Sequence, residues 1–400
     1  MQRPNIGFIF LTSCLTLGMV FGQTGTTLRP GTLSNVGIDP ERFQRVDTVI
    51  EQEIKDGKLP GAVLLVARNG FVVYRKAYGK AQLTPSPEPM TVDKIFDLAS
   101  VTKPVATATA LLLLVEHGQI RLIDPVTKYI PEFTPFISAE GNTAEIPCIY
   151  HLLTHTSGLP DYAKASDLKA KYGSPCPDRV VQTIATIPKK SAPGEKFKYS
   201  CLGYITLAEI IHRVTGETID VFTQKNIFEP LGMRDTRYCP PPEWLPRIAP
   251  TEPFEGKLLR GTVHDPLAML MDGKSGNAGL FSTADDLALF CQMLLNRGSY
   301  GKTQLLSPLT VQLMTTVYPQ VAFAGRGLGW DVNSAYSSNM GDLFPATAFG
   351  HTGFTGTSVV VDPNTQTIII LLTNAIHVRG GKVINLRSRV ANIVAGSIIK

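Results

Sequence analysis

The chain has 400 residues, 44% hydrophobic and 18% charged, enough apolar material for one large core or two domains. A formal charge of +5 with no long basic run gives nucleic-acid binding no support. The 29 prolines and 35 glycines are ordinary, and no internal repeat stands out.

The first residues read as an export signal. Arg3 supplies the positive start, Ile6 to Phe21 is mostly apolar, and Val20-Phe21-Gly22 suits cleavage before Gln23. The apolar run is short for a membrane span, so the mature chain is expected to be exported, periplasmic or extracellular, with no span of its own. Leu11-Thr12-Ser13-Cys14 resembles a bacterial lipoprotein box, which leaves a lipid anchor on Cys14 as an alternative. Residues 23–35 read as a flexible leader.

Asp39-Pro40 opens a helix through about Lys55, with Val46, Ile50 and Ile54 on one stripe. Gly61 to Ala67 and Phe71 to Ala77 are apolar and β-branched runs joined through Asn69-Gly70, a strong hairpin signal. Next comes Phe96-Asp97-Leu98-Ala99-Ser100-Val101-Thr102-Lys103-Pro104, followed by the apolar run Val105 to Val115. Pro104 fits near the start of a helix, so Ser100 stands at the positive end of the helix dipole. Lys103, just under one turn on, returns to the same face. A hydroxyl, an amine in reach and a positive dipole end suit an activated nucleophile. Alone, the pair also fits a capping serine beside a solvated lysine.

From Leu122 to Leu305 the pattern is helical pieces and long loops, including Leu152-Leu153-Thr154-His155-Thr156-Ser157-Gly158-Leu159-Pro160. Tyr199-Ser200-Cys201 precedes a helix that ends near Gly216. The Tyr199 phenolate would take a proton from Ser100, its pKa lowered by Lys103; the competing reading is a packed aromatic. Ser282 or Thr283 caps a later helix, with Asp285 and Asp286 in its first turn. Ser358 to Val361, the turn Asp362-Pro363-Asn364, and Thr367 to Leu372 make a second hairpin, and Val383 to Ile398 a closing helix. Just before the second hairpin, Gly350-His351-Thr352-Gly353-Phe354 enters a strand whose glycines admit a ligand close to the backbone, with an N–H available to an oxyanion.

The expected fold is α/β. An antiparallel sheet flanked by helices is built from both chain ends (36–95 and 306–400), and a mainly helical part (96–305) is inserted between them. A site is expected at the junction. His151 and His155 are spaced i, i+4 but lack the Glu and third ligand of a zinc site, so no metal is expected. His264-Asp265 and Asp285-Asp286 read as loop and cap residues. No nucleotide-binding glycine motif appears, and no cofactor is expected. Five cysteines remain beyond Cys14; Cys176 and Cys239 lie in loops where they could pair.

Ser100-x-x-Lys103, Tyr199-Ser200-Cys201 and His351-Thr352-Gly353, in this order, resemble the serine β-lactamase-like superfamily: class C β-lactamases, D-alanyl-D-alanine carboxypeptidases and related esterases. The 152–160 stretch and Gly279 to Leu287 resemble further family segments, and the similarity runs from about residue 36 to the C-terminus. The resemblance implies that Ser100 is acylated and that Lys103 relays its proton. Tyr199 would serve as general base, His351 and Thr352 would hold the substrate's polar end, and the N–H groups of Ser100 and Phe354 would form an oxyanion hole. The family's usual Asn is Cys201 here, its usual Lys is His351, and its frequent Ser is Phe354. These changes remove polarity from the substrate side and favour an ester or a cell-wall-related acyl substrate. A D-alanyl-D-alanine carboxypeptidase or class C-type β-lactamase is the alternative, and a non-catalytic penicillin- or cell-wall-binding module the second alternative.

Overall fold

The computed structural model describes residues 26–141, 144–254, 256–377 and 382–400. The export-signal and lipid-anchor readings at residues 1–22 lie outside them. A two-residue strand comes first, β1 (Arg29–Pro30), parallel to Phe71–Val72. Arg29 N–H donates to Gly70 O at 3.0 Å and Gly31 N–H to Val72 O at 3.0 Å. The expected flexible leader is therefore tied down at this point, because a sheet edge offers unpaired peptide groups to any adjacent chain.

Asp39 caps a short helical turn, Pro40–Phe43, by accepting from Glu41 N–H at 2.9 Å. Helix α1 (Arg45–Lys55) follows and buries Val46 and Ile50. Strand β2 (Gly61–Arg68) and strand β3 (Phe71–Gln82) pair antiparallel across Asn69 and Gly70, whose φ values of 52° and 81° suit a two-residue hairpin turn. Strand β4 (Phe96–Asp97) leads into α2 (Ala99–Glu116). This helix begins as a 3-10 turn, takes π geometry over Lys103–Ala108 and ends α-helical. Pro104 has no N–H to give, which suits the wider turn. The helix is long and apolar enough to cross a membrane, but 83% of it is buried inside the fold.

The helical part includes α3 (Ala165–Tyr172), α4 (Cys201–Thr215) and α5 (Pro266–Leu270). Strand β5 (Arg237–Tyr238) and strand β6 (Leu280–Ser282) join β4 in a small ribbon, ordered β4-β6-β5. Helix α6 (Ala284–Leu295) is followed late in the chain by β7 (Phe349–Thr352), β8 (Ser358–Asp362), β9 (Thr367–Leu372) and α7 (Ile384–Gly396). The main sheet runs β1-β3-β2-β9-β8-β7, with Glu88–Pro89 beside β3.

Every residue of β2 is buried, since both faces of the sheet are covered. Ala62, Leu64 and Val66 pack with Ile369 and Leu371 against Ile50 of α1 and Val390 of α7. Val63, Leu65 and Ala67 face the other way, into the core shared with α2 and α6. Each such valine, leucine or isoleucine side chain contributes about 1.5–3 kcal/mol by burial. Helix α6, expected within the helical insert 96–305, instead packs on β2 and β9 and forms part of the layer covering the sheet. Its apolar face, with Leu287 and Phe290 fully buried, covers that side of the sheet. Cys148, Cys176, Cys201, Cys239 and Cys291 are all free thiols. Cys176 is buried at the start of helix Pro177–Thr186, whereas exposed Cys239 donates to Asp272 O at 3.4 Å, so the two do not pair.

Thr283 caps α6 by accepting from Asp286 N–H at 3.2 Å. Asp286 itself is buried, accepting from Asp235 N–H at 2.7 Å and Thr236 Oγ1 at 2.8 Å. Burial pushes its pKa up from 3.8 to about 6. A carboxyl raised in the folded state favours folding when protonated, and that advantage is lost as pH rises through about 6. Asp286→Asn should therefore gain stability relative to the wild type between pH 4 and pH 7, by up to about 3 kcal/mol. Urea unfolding at several pH values checks this; a difference that does not vary with pH would refute it.

Candidate active site

Ser100 sits in a turn that several distant segments hold. Asp97 is buried; its Oδ1 accepts from Ala99 N–H at 2.9 Å and its Oδ2 from His264 N–H at 2.7 Å. Leu98 N–H donates to Leu280 O at 2.9 Å. Thr355 Oγ1 donates to Asp97 O at 2.8 Å and Thr357 Oγ1 to Leu98 O at 2.9 Å. These bonds hold Ala99 at φ 46°, a left-handed conformation that costs an L-residue about 1–2 kcal/mol. Ser100, at the start of α2, is partly exposed between buried Ala99 and Val101.

Lys103 is fully buried, and its Nζ donates to Ser100 Oγ at 2.9 Å and to Asn277 O at 2.9 Å. Cys201 Sγ lies 3.6 Å away, and the Tyr199 ring centroid 5.1 Å. Among the described residues no carboxylate stands within ion-pair distance of Lys103. Burial works against its ammonium, while Cys201 and Tyr199 in their ionised forms favour it, and the net direction is upward. The Tyr199 phenol interacts with Ser100. Its pKa was expected to fall, but burial outweighs the pull of Lys103 and of the Ser100 contact, and it rises. Burial likewise raises the Cys201 thiol, with Lys103 opposing.

His155 clamps Tyr199 from both sides along the chain. Its Nδ1 accepts from Ser200 N–H at 3.1 Å and its carbonyl from Lys198 N–H at 2.9 Å. Its ring lies 4.2 Å from the Tyr199 ring and 5.1 Å from the Tyr204 ring. An accepting Nδ1 places the proton on Nε2. Burial first, then the nearby Arg326 and Lys103, keep the ring neutral, well below the usual histidine range. The residue itself is held at φ 59°. His151 acts elsewhere, accepting from Cys148 N–H at 3.0 Å at the start of helix Ile149–Leu153.

The third motif lies on β7. His351 was expected to carry charge at lower pH and hold an anion. The structure corrects this: His351 is buried, and burial followed by Arg326 and Lys103 drives its pKa well below 6.5. Its Nδ1 lies 2.9 Å from Thr352 O, so that nitrogen donates and Nε2 is left as a buried acceptor without a partner among the described residues. Thr352 is partly exposed at the strand end. Gly353 is needed on steric grounds, since a Cβ there would meet Leu98 O at 2.4 Å. Phe354 is 72% exposed, its ring stacked 5.5 Å from His264, and stands at the rim.

Sequence reasoning singled out Ser100, Lys103, Tyr199 and Cys201, and the structure brings their side chains together. It missed Asp97, Asn277 and Arg387. Arg387 donates through Nη2 to Gly353 O at 2.7 Å and Thr357 O at 3.0 Å, fastening the loop beside Ser100, and burial lowers its pKa to about 10. Only the glycines around Asn277 offered a sequence signal of close backbone approach.

The Beta-lactamase family profile matches residues 46–390. A Bacillus subtilis protein named N-acetylmuramyl-L-alanine amidase is 34% identical over 404 residues, covering 92% of this chain and 91% of the relative. An Escherichia coli relative, provisionally named a D-alanyl-D-alanine carboxypeptidase, is 34% identical over 371 residues, covering 85% and 84%. The structure of EstCE1, described as a hydrolase with promiscuous acyltransferase activity, aligns with a TM-score of 0.72 at 24% identity, covering 89% of this chain and 99% of that one. An octameric penicillin-binding protein homologue from Pyrococcus abyssi aligns with a TM-score of 0.68 at 24% identity, covering 88% and 77%. With the nucleophile turn, the buried lysine and the tyrosine in one place, the chain belongs to the β-lactamase family and is a serine hydrolase of that group.

Proposed function

We propose that the protein hydrolyses esters, or acyl substrates related to the cell wall, through an acyl-enzyme on Ser100. The observation that carries this is Lys103 Nζ at 2.9 Å from Ser100 Oγ, fully buried and against Tyr199. Ser100 Oγ bonds to the substrate's acyl carbon while its proton passes to the Lys103–Tyr199 pair. The N–H groups of Ser100 and Phe354 receive the negative charge on the carbonyl oxygen. The pair returns the proton to the departing alcohol or amine. Water then adds to the acyl carbon and gives a proton to the same pair; the bond from the acyl carbon to Ser100 Oγ breaks, the pair returns the proton to Oγ, and the acid leaves.

The substrate side supports an uncharged scissile end. His351 is neutral and Cys201 offers a thiol, a weak donor and acceptor, where an amide would make firm hydrogen bonds. A second reading, a D-alanyl-D-alanine carboxypeptidase or class C-type β-lactamase, draws support from the names carried by the relatives. A purely binding module would have no use for Lys103 and Tyr199 around Ser100. We also infer export from residues 1–22, on their charge and apolar run alone.

A fluorophosphonate probe should label Ser100, found by peptide mapping, and should not label Ser100→Ala; an adduct on another serine would overturn the assignment. Lys103→Ala and Tyr199→Phe should each lower kcat on p-nitrophenyl acetate by about 10²–10⁴. The double variant should be little worse than the poorer single one, since both groups handle one proton. Wild-type turnover by Tyr199→Phe would restore the packed-aromatic reading.

His155→Ala removes the acceptor and the ring packed on Tyr199, and His155→Asn keeps a short acceptor that tolerates positive φ. Both should lower kcat by roughly tenfold or more with KM within about threefold, as expected for a lost transition-state contact, and the Asn variant should retain more activity. Unchanged kcat in both would show that the clamp does not position Tyr199.

A further inference from the structure

Besides His155, a second ring packs against that of Tyr199. It belongs to Tyr336, far along the chain, with its centroid 5.1 Å away and the two planes 30° apart. Tyr336 is 49% exposed. Phe197 meets it edge-on at 5.9 Å and 71°, and lies edge-on to His155 at 6.4 Å. Offset-stacked and edge-to-face pairs at such separations are the arrangements that ring quadrupoles favour. Three separate stretches of chain thus bring their rings together around the tyrosine that interacts with Ser100.

A half-exposed ring keeps its place only if its backbone is fixed, and the segment leading to Tyr336 is fixed to the strand of the third motif. Asp331 N–H donates to Gly350 O at 2.9 Å, and Gly350 N–H to Asp331 O at 2.9 Å, which ties the segment to β7. The Asp331 carboxylate serves two partners. Its Oδ2 lies 3.0 Å from Arg326 Nη1, and its Oδ1 accepts from Ser334 Oγ at 2.7 Å. Arg326 and Asp331 are both buried, so salt screens their attraction little. Ser334 Oγ accepts in turn from Tyr336 N–H at 3.1 Å, and Ser334 O accepts from Ser337 N–H at 3.1 Å and from Ser337 Oγ at 2.6 Å. Contacts therefore run from a buried ion pair, through one hydroxyl, to the backbone of Tyr336, and through its ring to Tyr199.

The phenol oxygen sits at the far end of a side chain with two torsions, so a small rotation carries it away from Ser100. Misplacing a reacting group by about 1 Å can cost on the order of a hundredfold in rate. We propose that Tyr336 is a positioning residue: its ring holds the Tyr199 phenol in register with Ser100 and Lys103, and Asp331 and Ser334 hold Tyr336. This role rests on the reading that Tyr199 is the general base.

The test is steady-state kinetics of the full chain on p-nitrophenyl acetate. Tyr336→Ala should lower kcat by about tenfold or more with KM within about threefold. Tyr336→Phe keeps the ring and should retain about half of the wild-type kcat or better. Ser334→Ala, which frees the Tyr336 backbone, should show the same pattern in weaker form, with kcat down by about threefold. The deciding arm is the Tyr199→Phe background. There Tyr336→Ala should cost less than about twofold more, because a residue that acts through the phenol has nothing left to position. Equal losses in the two backgrounds, a rise in KM at unchanged kcat, or a Tyr336→Phe variant as poor as Tyr336→Ala would overturn the role. Urea unfolding shows whether Tyr336→Ala is folded; if it is not, Tyr336→Leu and Ser334→Ala are carried through the same two backgrounds and judged by the same outcomes. Wild-type kcat in folded Tyr336→Ala beside a crippled Tyr199→Phe would overturn the positioning role alone. Wild-type turnover by Tyr199→Phe would instead overturn the general-base reading, and the role of Tyr336 with it.

Discussion

A fully buried lysine, with no carboxylate within ion-pair distance among the described residues, governs this site. The side chain of Lys103 is fully buried and its three donors go to the Ser100 hydroxyl, the Asn277 carbonyl and the Cys201 thiol. A charge in such a place is costly unless it is paired. Here the groups able to pair with it are a thiol and a phenol that burial keeps protonated. Charge on the lysine is thus coupled to loss of a proton from a neighbour. A network in which one proton has several nearby holders, of which Ser100 is one, is what acyl transfer needs.

That network is useful only if Ser100 and Tyr199 are held in register with Lys103. Ser100 is held by backbone strain that other segments stabilise. The left-handed φ of Ala99 is offset by the Asp97 carboxylate and by threonines 355 and 357, which reach in from the loop after β7. Arg387 of the closing helix fastens that loop in turn. Tyr199 is held by His155 through one ring contact and two peptide N–H groups. Strain beside the proposed nucleophile, here at Ala99 and compensated from several elements, is a recurring feature of functional sites.

The substrate side departs from the cationic arrangement associated with β-lactam and D-Ala-D-Ala recognition. His351 occupies the third-motif position but is neutral, one ring nitrogen spent on Thr352 O. The buried Arg326, ion-paired with Asp331 at 3.0 Å, adds to the field that keeps it so. His351 is therefore not available as a cation for a substrate carboxylate, in keeping with the neutral acyl substrate proposed above.

What the sequence by itself determined was local. Asn69-Gly70 and Asp362-Pro363-Asn364 specify their hairpins because turn chemistry lies within four residues, and Asp362 does accept from Thr365 N–H at 2.9 Å. Ser100 and Lys103 meet because one helical turn brings them together. The likeness of three motifs to a known family linked these to Tyr199 and His351, which no local rule could do. The tertiary structure decided the rest. The β1 edge strand, the place of α6 against the sheet, the His155 clamp, Asp97 and Arg387 all depend on partners far along the chain. The charge of His351 was misjudged for the same reason: a side chain's pKa follows from what surrounds it in space. Burial beside Arg326 and Lys103 can be read only once the chain has folded.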